Sequence, residues 1–160
     1  MFAAFILLFA QLAQAPTVVK GYGYEVTVPY GWKALDVGPG VTRLEHTTGA
    51  TLLIANSRPT REFNSVTHDA AERLANPLGF ATIGEPRHFR DSSQEWFEYD
   101  IRGNRLTDRR RILYRAIRSK SGLTEIIFVS AEKRYNALVN EALSIASSLK
   151  SIPRKVRVRQ

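Results

Sequence analysis

The octapeptide LTEIIFVS, residues 123–130, constrains the fold more than any other stretch of this chain. Read with a period of two, Leu123, Ile127 and Val129 fall on one side, and Ile126 and Phe128 on the other. A strand that is apolar on both sides leaves a large apolar area in water unless both faces of its sheet are covered. The segment therefore reads as a central strand, and the rest of the chain must supply two covering layers.

Two stretches have the spacing to do so. In residues 65–76, Val66, Ala70 and Leu74 recur every four positions, with Ala71 beside them and Glu72 and Arg73 opposite. Ser65 or Thr67 is placed to cap the start, and Pro77 closes the segment. In residues 135–152, Tyr135, Leu138, Ala142, Ile145, Ala146 and Leu149 form an apolar stripe that Pro153 ends.

Strand patterns fill the remainder. Residues 22–28 alternate, with Tyr22, Tyr24, Val26 and Val28 on one side. Pro29 cannot donate to a ladder and Gly31 permits a turn, so the chain reverses at Pro-Tyr-Gly-Trp and resumes as a strand from Trp32. Residues 41–46 and 51–56 flank a hairpin-length loop. Residues 80–90 are a strand candidate broken by Gly84 and Pro86. Residues 94–102 alternate Phe97, Tyr99 and Ile101 against Glu98, Asp100 and Arg102, and Gly103-Asn104 reads as the turn that follows. Residues 110–119 pair with the central strand through a short loop. Short links make the sheet antiparallel. The expected fold is α+β, a three-layer α/β/α sandwich with a mostly antiparallel central sheet of about six to eight strands and two main helices.

A chain of 160 residues, 44% hydrophobic and 24% charged, suits one domain with its own core. It has no cysteine, which excludes disulfides, thiol catalysis, thiolate zinc sites and an N-terminal lipid-modified Cys. Residues 1–15 join an apolar run to Ala13-Gln14-Ala15 and read as a secretory signal peptide, too short to span a bilayer, although no Lys or Arg precedes the run and Pro16 follows the A-x-A site. Residues 16–20 read as a connector, 21–152 as the domain, and 153–160 as a basic tail. The net charge of +8 is concentrated: residues 105–120 carry +6, residues 153–160 carry +4, and the rest carries −2. A localised excess bears on partners more than a high overall isoelectric point does.

These features resemble the PsbP-like group, which shares its fold with a Ran-binding protein of nuclear import. The resemblance runs over residues 21–152. It is carried by a strand entering VPYGW (28–32), a hairpin, a mid-chain helix, a meander, and a final helix ending in ASSLKSI (146–152). It implies an exported accessory or binding protein without catalysis. Photosynthetic members assist the oxygen-evolving complex from the lumenal side, and bacterial relatives are exported proteins or lipoproteins. No functional residue is carried over. Pro29, Gly31 and Trp32 are read as structural, with Trp32 covering one end of the core.

Chemistry is sparse. His46, His68 and His88 show no close metal-ligand spacing, and no nucleophile elbow or nucleotide-binding glycine pattern is present. No cofactor is expected. The most suggestive stretch is TDRRRILYRAIRSK (107–120). On a strand, Arg109, Arg111 and Arg115 point one way and Arg110, Arg118 and Lys120 the other. They are candidates for binding an anion, together with Arg154, Lys155, Arg157 and Arg159 of the tail. The competing reading pairs them across strands with Glu95, Glu98 and Asp100. Three functions follow: an exported, non-catalytic module whose partner is a protein or an anionic envelope component; a binder of an anionic polymer or surface, with export disfavouring nucleic acid; and a hydrolase built on His68 or His88.

Overall fold

The computed structural model describes residues 15–21, 24–38, 40–58, 62–120 and 122–151. Its elements run β1 (Thr17–Gly21), β2 (Tyr24–Val28), β3 (Trp32–Gly38), β4 (Val41–His46), β5 (Thr51–Ser57), α1 (Phe63–Ala75), β6 (Gly79–Ile83), β7 (Arg87–Arg90), β8 (Gln94–Arg105), β9 (Asp108–Ser119), β10 (Gly122–Ala131), α2 (Glu132–Ser147) and β11 (Lys150–Ser151). The main sheet has eight strands in the order β3-β4-β5-β10-β9-β8-β6, with β7 also on β8. Its pairings are antiparallel.

β10 lies inside this sheet between β5 and β9, and its two apolar sides face two different cores. Leu123 is buried with Phe97, Tyr99 and Ile101 of β8 and Ile112, Tyr114 and Ala116 of β9 beneath α1, where Phe63, Ala70, Ala71 and Ala75 cover them. Ile126 and Phe128 lie on the opposite face with Leu44, Leu52 and Ile54, under Tyr135, Leu138, Ala142 and Ile145 of α2. Full burial of a Leu, Ile or Phe side chain contributes about 1.5–3 kcal/mol, so both layers are needed for β10 to persist as a strand. The α/β/α sandwich expected from the two-sided strand is the observed one.

Several local details differ from the expectations. The strand before the Pro-Tyr-Gly-Trp turn leaves the main sheet. β2 pairs with β1 and β11 in a second, three-stranded sheet, and its Tyr24, Val26 and Val28 close the α2-side core. Residues 17–20, read as connector, belong to β1, in register from Thr17↔Val28 to Gly21↔Tyr24. Helix α1 starts two residues early and has no side-chain cap. Phe63 drives that start, since it is buried edge-on to Phe97 at 5.3 Å, while the hydroxyl of buried Thr67 donates to the Asn64 carbonyl at 2.9 Å.

Gly103-Asn104 is not a turn. β8 runs through both residues, and the reversal falls at Leu106-Thr107. Gly103 serves close packing instead: a Cβ there would stand 2.7 Å from the Cβ of Leu78. Helix α2 stops at Ser147, well before Pro153. The Ser148 hydroxyl donates to the Ile145 carbonyl at 2.7 Å and accepts the Thr27 N–H at 2.8 Å, which ties the helix end to β2 and lets Lys150 and Ser151 pair with Glu25 and Tyr24.

Candidate functional site

β9 lies antiparallel to β8 in a register that sets Glu95 opposite Arg118 and Glu98 opposite Arg115. The arginine-rich strand and the acidic strand therefore meet directly. Arg115 donates through Nε to Glu98 Oε2 at 2.7 Å, and its guanidinium lies 5.0 Å over the Trp96 ring. The Glu98 side chain is 1% exposed, and Arg87 of β7 pairs with its other oxygen. Burial pushes the Arg115 guanidinium below its ordinary pKa. One buried carboxylate thus holds two arginines, an arrangement that offsets the cost of removing its charge from water.

On the opposite face Arg118 pairs with Glu95 and lies 4.8 Å over the Phe63 ring. His88 reaches the same carboxylate at 2.9 Å, its ring stacked on Phe97 at 4.2 Å. Back on the face of Glu98, Asp100 receives Arg111 in a two-pronged contact, Nε at 2.7 Å and Nη2 at 2.8 Å, and Arg102 at 3.0 Å. Burial pushes the Asp100 carboxyl upward, but the hydrogen bonds and charges of Arg111 and Arg102 outweigh it and hold the group below the usual carboxylate range. Arg111 also lies 3.9 Å over the Tyr135 ring of α2.

Of the candidate anion-binding residues, Arg111, Arg115 and Arg118 are thus engaged with carboxylates across the β8–β9 ladder. Arg110 leans on its strand neighbour Asp108 at 3.4 Å. Arg109 approaches Glu132 at 3.8 Å, with its side chain 79% exposed. Lys120 is exposed. Arg154, Lys155, Arg157 and Arg159 lie outside the described residues, as does the signal-like segment up to Gln14. Arg87 was not singled out from the sequence, because its place beside Glu98 depends on where β7 docks along β8, which no periodicity reports.

The Pro-Tyr-Gly-Trp turn borders a second feature. Trp32 is buried, tilted against Phe128 and His46, and its indole N–H donates to Glu141 of α2 at 3.0 Å. Gly31 sits at φ +90, and a Cβ there would stand 2.8 Å from His46 Nε2, so both its backbone and its surroundings require glycine. Its carbonyl accepts the Thr47 N–H at 2.9 Å, and His46 Nδ1 lies 2.9 Å from Thr48 Oγ1. Next to Gly31, Tyr30 is 74% exposed on this fixed turn. It borders a groove of about 410 Å³ shared with Thr17, Lys33, Glu45 and His46.

The three histidines lie apart, at the end of β4, on the surface of α1, and on β7. Among the described residues no group of three metal-ligating side chains converges. No helix among them is long and apolar enough to cross a membrane.

The fold defines a class: a large antiparallel sheet between two helices, with a three-stranded sheet beside the second. Within that class the chain has the fold shared by PsbP and Mog1. It matches cyanobacterial PsbP (CyanoP) of Synechocystis with a TM-score of 0.60 at 17% identity, over 90% of this chain and 96% of that one. It matches the Ran-binding protein Mog1p of Saccharomyces cerevisiae with a TM-score of 0.59 at 11% identity, over 85% and 95%. It matches LpqN of Mycobacterium tuberculosis, involved in cell envelope biogenesis, with a TM-score of 0.60 at 13% identity, over 86% and 91%. No protein-family profile matches the chain, and no curated protein matches it in sequence.

Proposed function

We propose that the protein is an exported, non-catalytic binding module that engages a protein partner through the Tyr30 turn. The observation that carries this reading is an exposed aromatic on a fixed platform. Trp32 anchors the turn in the core, Gly31 packs under His46, and Tyr30 stands in solvent beside the groove. An exposed tyrosine with little freedom to lose is the kind of anchor around which interface energy concentrates. Support for a binding role comes from the shared fold, since one protein that has it is a Ran-binding protein and another takes part in envelope biogenesis. Export rests on the signal-like residues 1–15.

The anion-binding reading keeps Arg109 and Lys120, whose side chains face solvent, together with the tail. The hydrolase reading has His68 against Glu72 on an exposed helix face and His88 of β7 against Glu95.

The test has two parts. Mass spectrometry of the protein from its own host should find a chain beginning near Pro16 in an extracytoplasmic fraction. A photo-reactive residue at position 33, on the same groove, should cross-link to one protein there, and adding Tyr30→Ala to that chain should lose at least 90% of the capture. An intact Met1 in the cytosol would refute export, and undiminished capture by Tyr30→Ala would refute the assigned surface.

A further inference from the structure

Two large apolar side chains are almost wholly in water, and both occur where the backbone is strained. Phe80 is 94% exposed and Leu106 is 96% exposed. They are the non-glycine residues with positive φ among the described residues, at 51° and 57°. Leu106 opens the two-residue turn between Arg105 and Asp108, a place where a left-handed first residue normally calls for glycine. Phe80 occupies the irregularity between Gly79 and Thr82, where β6 bulges against β8. At neither position does burial compensate for the backbone cost. The fold alone would be served at least as well by glycine.

The two positions share one end of the sheet. Gly79 pairs with Asn104, and the β8–β9 turn follows two residues on. The last pair between β9 and β10 is Arg110↔Ala131, so the strands from Arg105 to Asp108 project past the central strand. Beside Phe80 is a hollow of about 270 Å³ lined by Thr82, Arg102, Gly103, Asn104, Arg109 and Glu132. Arg105 and Arg109 are exposed at the tip; Arg109 approaches Glu132 at 3.8 Å, and the one acid between them, Asp108, pairs with Arg110 at 3.4 Å. The end is thus a pair of exposed apolar tips set among Arg105, Arg109 and the Asp108–Arg110 pair, with a hollow between one tip and the start of α2.

We propose that this end docks onto an anionic lipid bilayer, with Phe80 and Leu106 entering the interface and Arg105 and Arg109 meeting lipid phosphates. The charge complementarity selects a bilayer, since exposed apolar residues flanked by basic ones suit the headgroup boundary. Each basic residue near such a surface contributes about fivefold in affinity, and each buried apolar side chain about tenfold or more. The inference goes beyond the Tyr30 reading and uses different residues.

The experiment uses the full chain and vesicles of phosphatidylglycerol with phosphatidylcholine, compared with phosphatidylcholine alone. The unaltered protein should sediment with the anionic vesicles at least tenfold more strongly, and less so in high salt. The double variant Phe80→Gly, Leu106→Gly should lose more than tenfold of that binding while its thermal midpoint holds or rises, which separates docking from folding. Leu106→Trp should shift its emission to the blue on anionic vesicles only, reporting this site independently of any other apolar segment. Tyr30→Ala should bind vesicles as the unaltered protein does, so failure of one proposal is distinct from failure of the other. Equal binding to neutral vesicles, unchanged binding by the glycine variant, or an unshifted tryptophan would each overturn the proposal. Polyglutamate competing at equal charge with undiminished reliance on Phe80 and Leu106 would overturn it in favour of an acidic protein.

Discussion

On β4, β5 and β10 the face toward α2 is dry, with Leu44, Leu52, Ile54, Ile126 and Phe128 packed under the helix. On β8 and β9 the same face carries Glu98, Arg115, Asp100 and Arg111, joined by Arg87 from the edge strand. The two regions belong to one continuous surface, yet one is filled with methyl groups and rings and the other with partly exposed paired charges that lie over Trp96 and Tyr135. Helix positions explain the division. α1 covers β8 and β9 from the far side, so these strands already have an apolar layer, and their α2-side residues need only be satisfied, not buried in grease.

The comparison can be broken most directly in the dry region. Phe128→Ala removes the ring between Trp32 and Tyr135 and should cost about 3–5 kcal/mol, read from a shifted denaturation midpoint with unchanged slope. In the charged region Glu98→Ala should cost about 3 kcal/mol, because Arg115 is then left half-buried without its carboxylate. The sharper experiment replaces the pair: Glu98→Met with Arg115→Leu should recover most of that loss, and a double variant as unstable as the single would show that the ladder supplies more than mutual satisfaction.

Acid should discriminate the regions as well. The folded Asp100 carboxyl is held below its ordinary value, so its contribution to stability is complete above about pH 4–5 and is lost as pH falls through the lower folded value. Asp100→Asn should flatten the stability profile in that acid window, whereas Phe128→Ala should lower the whole profile without changing its shape. The smallest effect belongs to the outer surface. Lys33 and Glu45 approach at 3.8 Å with the lysine largely in solvent, and Lys33→Ala should change stability by no more than about 0.5 kcal/mol.

Much of the architecture was legible because it follows from period and burial. The two-sided pattern of residues 123–130 demanded two layers, and the spacing of Ala70, Leu74, Leu138, Ala142 and Ile145 supplied them. The cross-strand meeting of Glu95, Glu98 and Asp100 with arginines was readable as an alternative, since alternation fixes which residues share a face. What escaped depends on contacts distant in sequence. Gly103 looks like a turn residue until Leu78 is placed against it, and the end of α2 looks distant until Ser148 meets Thr27. Arg87, Tyr30, Phe80 and Leu106 had no periodic signal, because their roles come from loop docking and backbone handedness.

The second sheet has a mechanical consequence. β1 and β11 both run antiparallel to β2, on either side of it, so they run parallel to each other. A pull applied at Thr17 and Ser151 in opposite directions loads these strands lengthwise, straining their rungs together instead of peeling them singly. With five residues in β1 and two in β11, the shorter strand is the fuse: under tension the chain would yield first beyond α2, leaving the sandwich itself intact.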